Sequence, residues 1–323
     1  MIYTVTLNPA LDTVFYVEDL NNRSYTQTTA AYKYPGGKAI NVSRMLYNLN
    51  IPSYVTGFLG GYPGAFIRDW FEERNFDSLL IDIEEDNRTT LRIKTKTEAM
   101  TIAGISPSIP SEKLDDLLYF LSRVREGDIV VMGGSIPNNV PKDIYKRISE
   151  ICKANKAYFM VDIPAEQTLD SLKDGPLLIK PNSDNLALMF GRDEPFSTEE
   201  ELIEHGLKCV ELGAKNVIVS IGKEGSYLFT EDQAVYRSYG VEGEEVNSFN
   251  SRDAMIAAFI GVYMRKNDPV EAFKMAAAAA SATAFVEDLA SKEEVLEVFD
   301  KIKIEQLRPG KVNDEYSGNY IFG

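Results

Sequence analysis

Short apolar runs alternate with amphipathic runs along most of the chain. In the amphipathic runs apolar residues recur at helical spacing, over residues 39–49, 111–124, 142–155 and 198–213. The apolar runs have the length of strands and lie at 2–8, 53–60, 128–134, 157–163, 177–182 and 216–222. Because these runs are apolar throughout, the pattern predicts an α/β fold with a mostly parallel sheet buried on both faces.

Two segments break this rhythm because they alternate polar and apolar residues. They cover residues 13–34 and 89–104, and the alternation predicts half-exposed antiparallel strands. The two segments could form one small sheet, serving as a lid over a site or as a dimer contact. A pair of separate peripheral hairpins is equally compatible with the pattern.

Charge narrows the classes of partner. The 323 residues include 34 Lys+Arg and 49 Asp+Glu, which gives a formal net charge of −15. A surface this acidic repels nucleic acids and anionic membranes, so neither is expected as a partner. A nucleotide or sugar phosphate would need cations and backbone N–H groups concentrated at its site. With neither a basic, apolar leader nor an apolar run of about 20 residues, we expect a cytoplasmic protein.

The rare residue types argue against redox, zinc and triad chemistry. Cys152 and Cys209 lie in helix-like stretches without CxxC spacing, as buried structural thiols do. The single histidine, His205, has acidic neighbours and is expected at the surface. One histidine makes a Ser-His-Asp triad or a histidine-rich metal site improbable, and we assign no metal ligands.

Three turns that follow strand-like runs are candidate ligand loops, although the chain contains neither GxxxxGK[ST] nor GxGxxG. In YPGGKAINVSR (34–44), adjacent glycines let backbone N–H groups approach an anion or a hydroxyl, beside Lys38 and Asn41. A plain strand-to-helix turn has the same composition. The turn in VSIGKEGSYLF (219–229) is explained by hairpin chemistry, with a nucleotide contact as the alternative.

The third turn, in EVNSFNSRDAMIAAF (245–259), leads into a long apolar helix with Asp253 at its start. Two interpretations of Asp253 are open. An acid in the first helical turn stabilises the helix dipole and needs no further role. Alternatively, the carboxylate accepts a proton from a hydroxyl while the helix N-terminus gathers phosphate charge.

Several motifs occur in one order: LNPALD (7–12), GGKAINVSR (36–44), GFLGGYPGAFI (57–67), RTTLRIK (88–94), GGSIP (133–137), KPN (180–182), SIGKEG (220–225) and NS-x-x-x-x-DAM (247–255). Together they resemble the phosphofructokinase B family of ribokinase-like carbohydrate kinases. The similarity is to the 1-phosphofructokinase and tagatose-6-phosphate kinase branch, and it extends from about residue 3 to residue 290.

The resemblance implies a ribokinase-like three-layer α/β/α sandwich with a mostly parallel central sheet and a small β lid that pairs in a homodimer. The main domain would comprise residues 1–12, 35–87 and 105–323, and the lid residues 13–34 and 88–104. The implied activity uses ATP and Mg²⁺. The acceptor would be a phosphorylated ketohexose: tagatose 6-phosphate, fructose 1-phosphate or fructose 6-phosphate.

The resemblance also implies roles for the matching residues. Asp253 would deprotonate the acceptor hydroxyl, while Arg88 and Ser135 would hold the substrate's phosphate. The residues that would bind the sugar are Asp12, Gly36, Gly37, Lys38 and Asn41. Those on the nucleotide side would be Lys180, Asn182, Ser220, Gly222, Lys223, Gly225, Asn250, Arg252 and Ser281.

The phosphate-handling loops depart from the family pattern. The family's G-[AS]-G-D is Asn250-Ser251-Arg252-Asp253 here, so both glycines of an expected anion hole are replaced. Arginine is disfavoured there if the glycine has positive φ. Arg252 could supply charge, occupy the phosphate position or pair with Asp253. The other departures are Ala39 in GGKA, Asn182-Ser183-Asp184-Asn185 for N-x-x-E, and Asp162-Ile163-Pro164-Ala165 for D-T-S-G.

Three hypotheses are compatible with this mixture. An active sugar-phosphate kinase is favoured, because Asp253, Lys38 and Arg88 stand in family order. The alternative is a degenerate kinase fold that binds sugar phosphate or regulates another process with little turnover, owing to Asn250 and Arg252. A kinase for an unphosphorylated sugar or a nucleoside is disfavoured by Arg88 and Lys38.

Overall fold

The computed structural model describes residues 1–19, 25–247 and 249–311. Its strands, in chain order, are β1 (Ile2–Thr6), β2 (Ala10–Val17), β3 (Thr28–Gly36), β4 (Tyr54–Leu59), β5 (Asp77–Asp82), β6 (Arg88–Lys94), β7 (Ala99–Ala103), β8 (Ile129–Gly133), β9 (Tyr158–Asp162), β10 (Leu178–Ile179), β11 (Asn216–Ser220), β12 (Gly225–Thr230), β13 (Val235–Tyr239) and β14 (Ile304–Arg308). Its α-helices are α1 (Lys38–Asn48), α2 (Gly61–Glu72), α3 (Ser111–Leu121), α4 (Ile144–Ala154), α5 (Ala165–Ser171), α6 (Ser183–Met189), α7 (Glu199–Glu211), α8 (Ser251–Lys266), α9 (Pro269–Ala284) and α10 (Lys292–Phe299).

The large sheet has the strand order β14-β13-β12-β11-β10-β9-β8-β1-β4-β5. From β11 to β5 every neighbouring pair is parallel, whereas β12, β13 and β14 are added antiparallel at one edge. The predicted mostly parallel sheet is therefore confirmed. Because parallel strands all end at the same edge, the loops that follow them converge there.

Alternate residues of the parallel strands pack into separate layers. In β8, Val130 and Met132 join an apolar cluster with α3, α4 and α7, while Ile129 and Val131 join a second cluster with α1, α8, α9 and α10. The alanines at 276–279 of α9 are buried in this second cluster, so close helix packing accounts for that small-residue run. Helices on both faces complete the three layers.

The segments with alternating polarity form one second sheet, in the order β3-β2-β6-β7. The β2–β3 and β6–β7 pairs are antiparallel, as predicted, and the parallel pairing of β2 with β6 joins them. Because β2 begins shortly after β1 ends, this sheet is connected to an interior strand of the large one, β1. The division into a main domain and a lid stays a prediction.

The single histidine has a structural role in the fold. His205, expected at the surface, is half-buried between the rings of Phe190 and Phe196, and its Nδ1 lies 2.8 Å from the Glu201 carbonyl oxygen. That packing holds the ring against the side chains beside α7.

Within the part of the chain that the structure describes, the helices are all too short or too polar to cross a membrane.

Candidate active site

Polar side chains gather where the parallel strands end. Asn8 follows β1, Asp162 ends β9, Lys180 follows β10 and Ser220 ends β11. The start of α8 meets the same edge, because the Arg252 guanidinium lies 3.5 Å from the Lys180 carbonyl oxygen. The cleft therefore lies outside the carboxyl ends of the strands, the usual place for ligands in open α/β sheets.

One wall of the cleft is formed by the second sheet. Asp12 in β2 accepts a hydrogen bond of 2.7 Å from Arg92 in β6, and both side chains are buried. Burial raises the pKa of the Asp12 carboxyl and Arg92 opposes that rise. A Cβ at Gly36 would lie 2.3 Å from the Asp12 carboxyl carbon. Glycine at position 36 is thus required for the carboxylate to keep its place.

Arg88 and Ser135 meet around Asn8. The Arg88 Nε donates to the Asn8 carbonyl oxygen at 3.3 Å, and the Asn8 amide donates to the Ser135 hydroxyl at 2.8 Å. The Asn8 Oδ1 is buried without a hydrogen-bond partner among the described residues. These groups form a polar pocket with guanidinium and hydroxyl donors, which suits a phosphate group.

The GGK turn brings a cation to the same edge. Gly37, the residue before α1, has φ 110°, a left-handed value that favours glycine. This turn allows Lys38 to begin α1, with its Nζ 3.1 Å from the Asp162 carboxylate. Lys38 therefore stands between the second sheet and the end of β9.

Asp253 lies in the first turn of α8 and faces the cleft, not solvent. It is 5% exposed, and its Oδ2 accepts a hydrogen bond of 2.9 Å from the Asn41 amide. Burial, with help from nearby Asp162, raises the pKa of the Asp253 carboxyl to about 7, while Asn41, Lys38 and Arg252 oppose the rise. A carboxyl with a pKa near neutrality is well matched to accepting a hydroxyl proton.

The replaced glycines do not strain the backbone. Asn250 has φ −89°, and neither Asn250 nor Arg252 is among the described non-glycine residues with positive φ. The first N–H groups of α8 therefore stay available to an anion in an ordinary helical conformation. In the described residues no ion pair joins Arg252 to Asp253; Arg252 instead donates to the Lys180 carbonyl.

Lys180 adds a buried amine beside Arg252. Its Nζ donates to the Ser220 hydroxyl at 3.4 Å. Burial, reinforced by the Arg252 charge, lowers the pKa of the Lys180 amine to about 7. Lys180, Arg252 and Asp162 line one narrow pocket between β9, β10 and α8. An anion in this pocket would meet two cations, which the overall charge of −15 leaves scarce elsewhere.

The remaining nucleotide-side residues occupy the neighbouring turns. Asn182 and Ser220 are joined by a parallel bridge, and the Asn182 side chain caps α6 by accepting from the Asn185 N–H at 2.8 Å. The predicted hairpin turn between β11 and β12 is confirmed, with Gly222 and Gly225 both at positive φ. The two positions farther out are Lys223, exposed and paired with Glu245, and Ser281, half-buried in α9.

Several residues of the site were missed by the sequence analysis. Arg92 lies two residues beyond Thr90 and four beyond Arg88 in β6, so strand alternation alone could have placed them on one face. The Arg92 guanidinium carbon stands 3.4 Å from the centre of the Phe249 ring. Arg44 and Asp288 form a buried ion pair that no local pattern indicates.

The residues present fit a nucleotide, and a metal ion would be bound together with that nucleotide. At the start of α8 the Ser251 hydroxyl is buried without a hydrogen-bond partner among the described residues, as expected where an anion would complete the site. The described residues contain no group of three or more metal-binding side chains. Mg²⁺ usually binds through one or two carboxylates together with substrate phosphates, so this arrangement accords with a metal carried by the nucleotide.

Comparison with known proteins identifies relatives along almost the whole chain. The model of the pfkB family carbohydrate kinases matches residues 6–294. A 1-phosphofructokinase of Bacillus subtilis is 38% identical over 95% of this chain and all of its own length. A D-tagatose-1-phosphate kinase of Bacillus licheniformis is 32% identical over the same shares.

Solved structures give the same picture of the fold. The structure of a candidate phosphofructokinase from Staphylococcus aureus is 34% identical, with a TM-score of 0.84 over 96% of this chain and 100% of that one. Phosphofructokinase-2 of Escherichia coli, in complex with substrates and products, has a TM-score of 0.87 at 21% identity over 93% and 98%. The ribokinase-like fold predicted from the resemblance is confirmed.

Proposed function

The chain belongs to the pfkB family of carbohydrate kinases, and we propose that it transfers the terminal phosphoryl group of ATP to a ketohexose 1-phosphate, with Asp253 as general base. The observation that carries this proposal is the buried Asp253 carboxyl at the start of α8, with a pKa raised to about 7 by burial, surrounded by Lys38, Lys180 and Arg252. The proposed base and the side chains that would bind phosphate therefore lie close together.

The reaction forms one bond and breaks another. The acceptor oxygen bonds to the terminal phosphorus of ATP, the bond from that phosphorus to the ADP oxygen breaks, and the proton passes to the Asp253 carboxylate. When bound together with ATP, Mg²⁺ would supply charge neutralisation for the phosphates. The α8 N–H groups, Arg252 and Lys180 would stabilise the charge on the moving phosphoryl group.

Recognition of the acceptor is assigned to the second sheet and the GGK turn. Asp12 would accept hydrogen bonds from sugar hydroxyls, and Gly36 leaves room for Asp12. Asn41, whose two amide N–H groups donate to Asp253 and Asn250, would offer the sugar its Oδ1 as an acceptor. The phosphate already on the sugar would bind Arg88 and Ser135, which meet at Asn8. The names of the two Bacillus relatives favour a 1-phosphate, and the acceptors expected from the resemblance were fructose 1-phosphate and two 6-phosphates.

The proposal is tested by ADP release with MgATP and each of fructose 1-phosphate, tagatose 1-phosphate, fructose 6-phosphate and tagatose 6-phosphate. We expect turnover with a 1-phosphate, and a fall in kcat of about 10³-fold for Asp253→Asn. The matched control, Asp193→Asn, changes an exposed acid after α6 and should retain activity. Sugar-phosphate binding by calorimetry without turnover on any of the four would instead support the degenerate, binding-only alternative.

Two further features belong to the proposal. The exposed β7 side chains Met100 and Ile102 give the second sheet an apolar edge suited to pairing with a second copy as a homodimer. Light scattering should give the molar mass of a dimer for the wild type and of a monomer for Ile102→Lys. The molar mass of a monomer for both proteins would contradict that pairing. A cytoplasmic location accords with the buried free thiols of Cys152 and Cys209, which suit a reducing compartment.

A further inference from the structure

A chain of buried polar side chains extends behind Asp253, away from the cleft. The Asn41 amide, which donates to the Asp253 carboxylate, also donates to the Asn250 Oδ1 at 3.3 Å. The Asn250 amide in turn donates to the Asp288 carboxylate at 3.2 Å. Asp288, in the segment after α9, also pairs with Arg44 of α1. The chain thus links the base to Arg44 of α1 and to the segment after α9.

The orientation of the Asn41 amide decides what Asp253 contacts. Arg44 donates to the Asn41 Oδ1 at 3.4 Å, while the Asn41 nitrogen faces the carboxylate of Asp253. A flipped amide would set its oxygen against the Asp253 carboxylate and its nitrogen against the Arg44 guanidinium, two unfavourable contacts. Asn250 and Arg44 therefore fix the amide from both ends, and Asp288 is bonded to both of these partners.

We propose that Asp288 is a positioning residue, which acts through Asn250 and Arg44 to hold the Asn41 amide against the Asp253 carboxylate. The inference rests on the proposed role of Asp253 as the base. It gives the replacement of a family glycine by Asn250 a purpose: the Asn250 side chain adds a second connection between Asn41 and Asp288, beside the one through Arg44. Asp288 acts on Asp253 through hydrogen bonds to an ordered amide. Its effect on the pKa of Asp253 therefore has the opposite sign to the effect of a simple charge.

The sign separates the two roles. If Asp288 acts by positioning, its loss loosens the bond from Asn41 that favours the ionised Asp253, and the pKa of Asp253 rises. If Asp288 acts only as a negative charge, its loss removes a repulsion and the pKa of Asp253 falls. The other charged groups facing Asp253 are left in place in either case: Lys38 of α1, Arg92 of β6, Asp162 of β9, Lys180 after β10 and Arg252 of α8.

The test is a carbon-13 NMR titration of the aspartate carboxyls, with the Asp253 signal assigned by its loss in Asp253→Asn. This readout does not need turnover, so a failure of the proposed reaction would not be confused with a failure of this inference. We expect Asp288→Ala and Asn250→Ala each to raise the pKa of Asp253 by about one unit. Asp288→Asn, which keeps an oxygen for Asn250, should stay within about half a unit of the wild type.

In the active protein, kcat at pH 7 should then fall about fivefold in Asp288→Ala, because less of the base is ionised. The matched control is Glu287→Gln, the adjacent acid, which pairs with Lys94 of the second sheet and should leave the Asp253 titration unchanged. Thermal unfolding establishes that each variant folds. If Asp288→Ala does not fold, Asn250→Ala still tests the proposal, because it keeps the Arg44–Asp288 pair. A fall in the Asp253 pKa in both Asp288 variants, or no change in any, would overturn the proposal.

Discussion

The two walls of the cleft offer different groups to a ligand. On the second-sheet wall, Asp12 pairs with Arg92 at 2.7 Å and the Gly36 position has no room for a Cβ, so the groups offered are single side chains. At the start of α8, the groups offered to an anion are backbone N–H groups of an unstrained helix, with Asn250 at φ −89°. The first wall keeps the family's residues, whereas the second has exchanged both of its glycines.

The difference shows what each wall requires of the sequence. A hydrogen bond from a side chain fails when that side chain changes, so the residues that face a sugar are constrained one by one. A helix N-terminus offers its N–H groups whatever the side chains are, provided that the backbone stays helical. The exchange of glycine for Arg252 therefore preserves the backbone donors and adds a cation next to Lys180.

The largest effect should come from removing that added cation. Arg252→Ala leaves the helix intact but takes away the charge beside the phosphate pocket, and we expect kcat to fall by about 10²-fold. The KM for the sugar phosphate should change little, because Arg252 lies on the other wall. Steady-state kinetics with saturating MgATP measures both.

Arg265→Ala is the matched control, because Arg265 is an exposed arginine in the last turn of the same helix. It should leave kcat within about twofold of the wild type. Wild-type kcat in Arg252→Ala would show that the backbone groups suffice alone, and the comparison between the walls would then hold without the added charge.

A smaller effect, on KM, is expected from the second-sheet wall. Arg92→Met removes the partner of the buried Asp12, whose pKa burial already raises and Arg92 restrains. Without Arg92 the pKa of Asp12 would rise further, and a protonated Asp12 would be a poorer acceptor for a sugar hydroxyl. We expect the sugar KM to rise by about tenfold to 100-fold, with a much smaller change in kcat.

The control for this variant lies on the same strand. Lys94→Met removes another cation of β6, which pairs with Glu287 and not with Asp12. It should change KM by less than about threefold. Equal effects of the two variants would mean that the positive charge of β6 matters as a whole and that the Asp12–Arg92 pair has no special role.

Most of the fold could be predicted from local patterns, and the failures have physical reasons. The continuously apolar runs predicted β1, β4, β8, β9 and β11, and alternation predicted the second sheet. Helix α2 was not predicted, because its first turn, GYPG, has the composition of a loop; proline is nonetheless well tolerated in the first turn of a helix. Strand β5 was not predicted either, because its apolar run is short and lies between charged ends.

The candidate site divides in the same way. Lys38 and Asp253 were indicated by two of the candidate ligand turns, and Lys180 was indicated by the family resemblance. Of the three, Lys180 directly follows a strand in the parallel part of the large sheet, β10. Arg92 and Asp288 were not predicted, because they pair with Asp12 and Arg44, respectively, across a large separation in sequence. Alternation along β6 contained a signal for Arg92, but the segment after α9 contains none for Asp288. Long-range pairing of this kind follows only from the fold.

A pH dependence is also expected, because the Asp253 carboxyl at the start of α8 titrates near neutrality. Burial raises the pKa of this carboxyl from 3.8 to about 7, so kcat should rise about tenfold per unit below pH 7 and level off above it. The same shift has a consequence for stability. Between about pH 4 and pH 7 the folded protein retains a proton that the unfolded chain releases, so rising pH lowers the contribution of this group to stability.

Asp253→Asn mimics the protonated acid at all pH values and removes this loss. Its Tm should therefore exceed that of the wild type at pH 8, and the difference should shrink as the pH falls towards 4. The Lys180 amine, with a pKa lowered to about 7 by burial, adds a pH dependence that both proteins share, so it largely cancels in the difference. Calorimetric scans of both proteins from pH 5 to pH 8 measure it. A constant difference in Tm would mean that Asp253 ionises at its ordinary pKa, and the start of α8 would then lack the base that the proposed reaction needs.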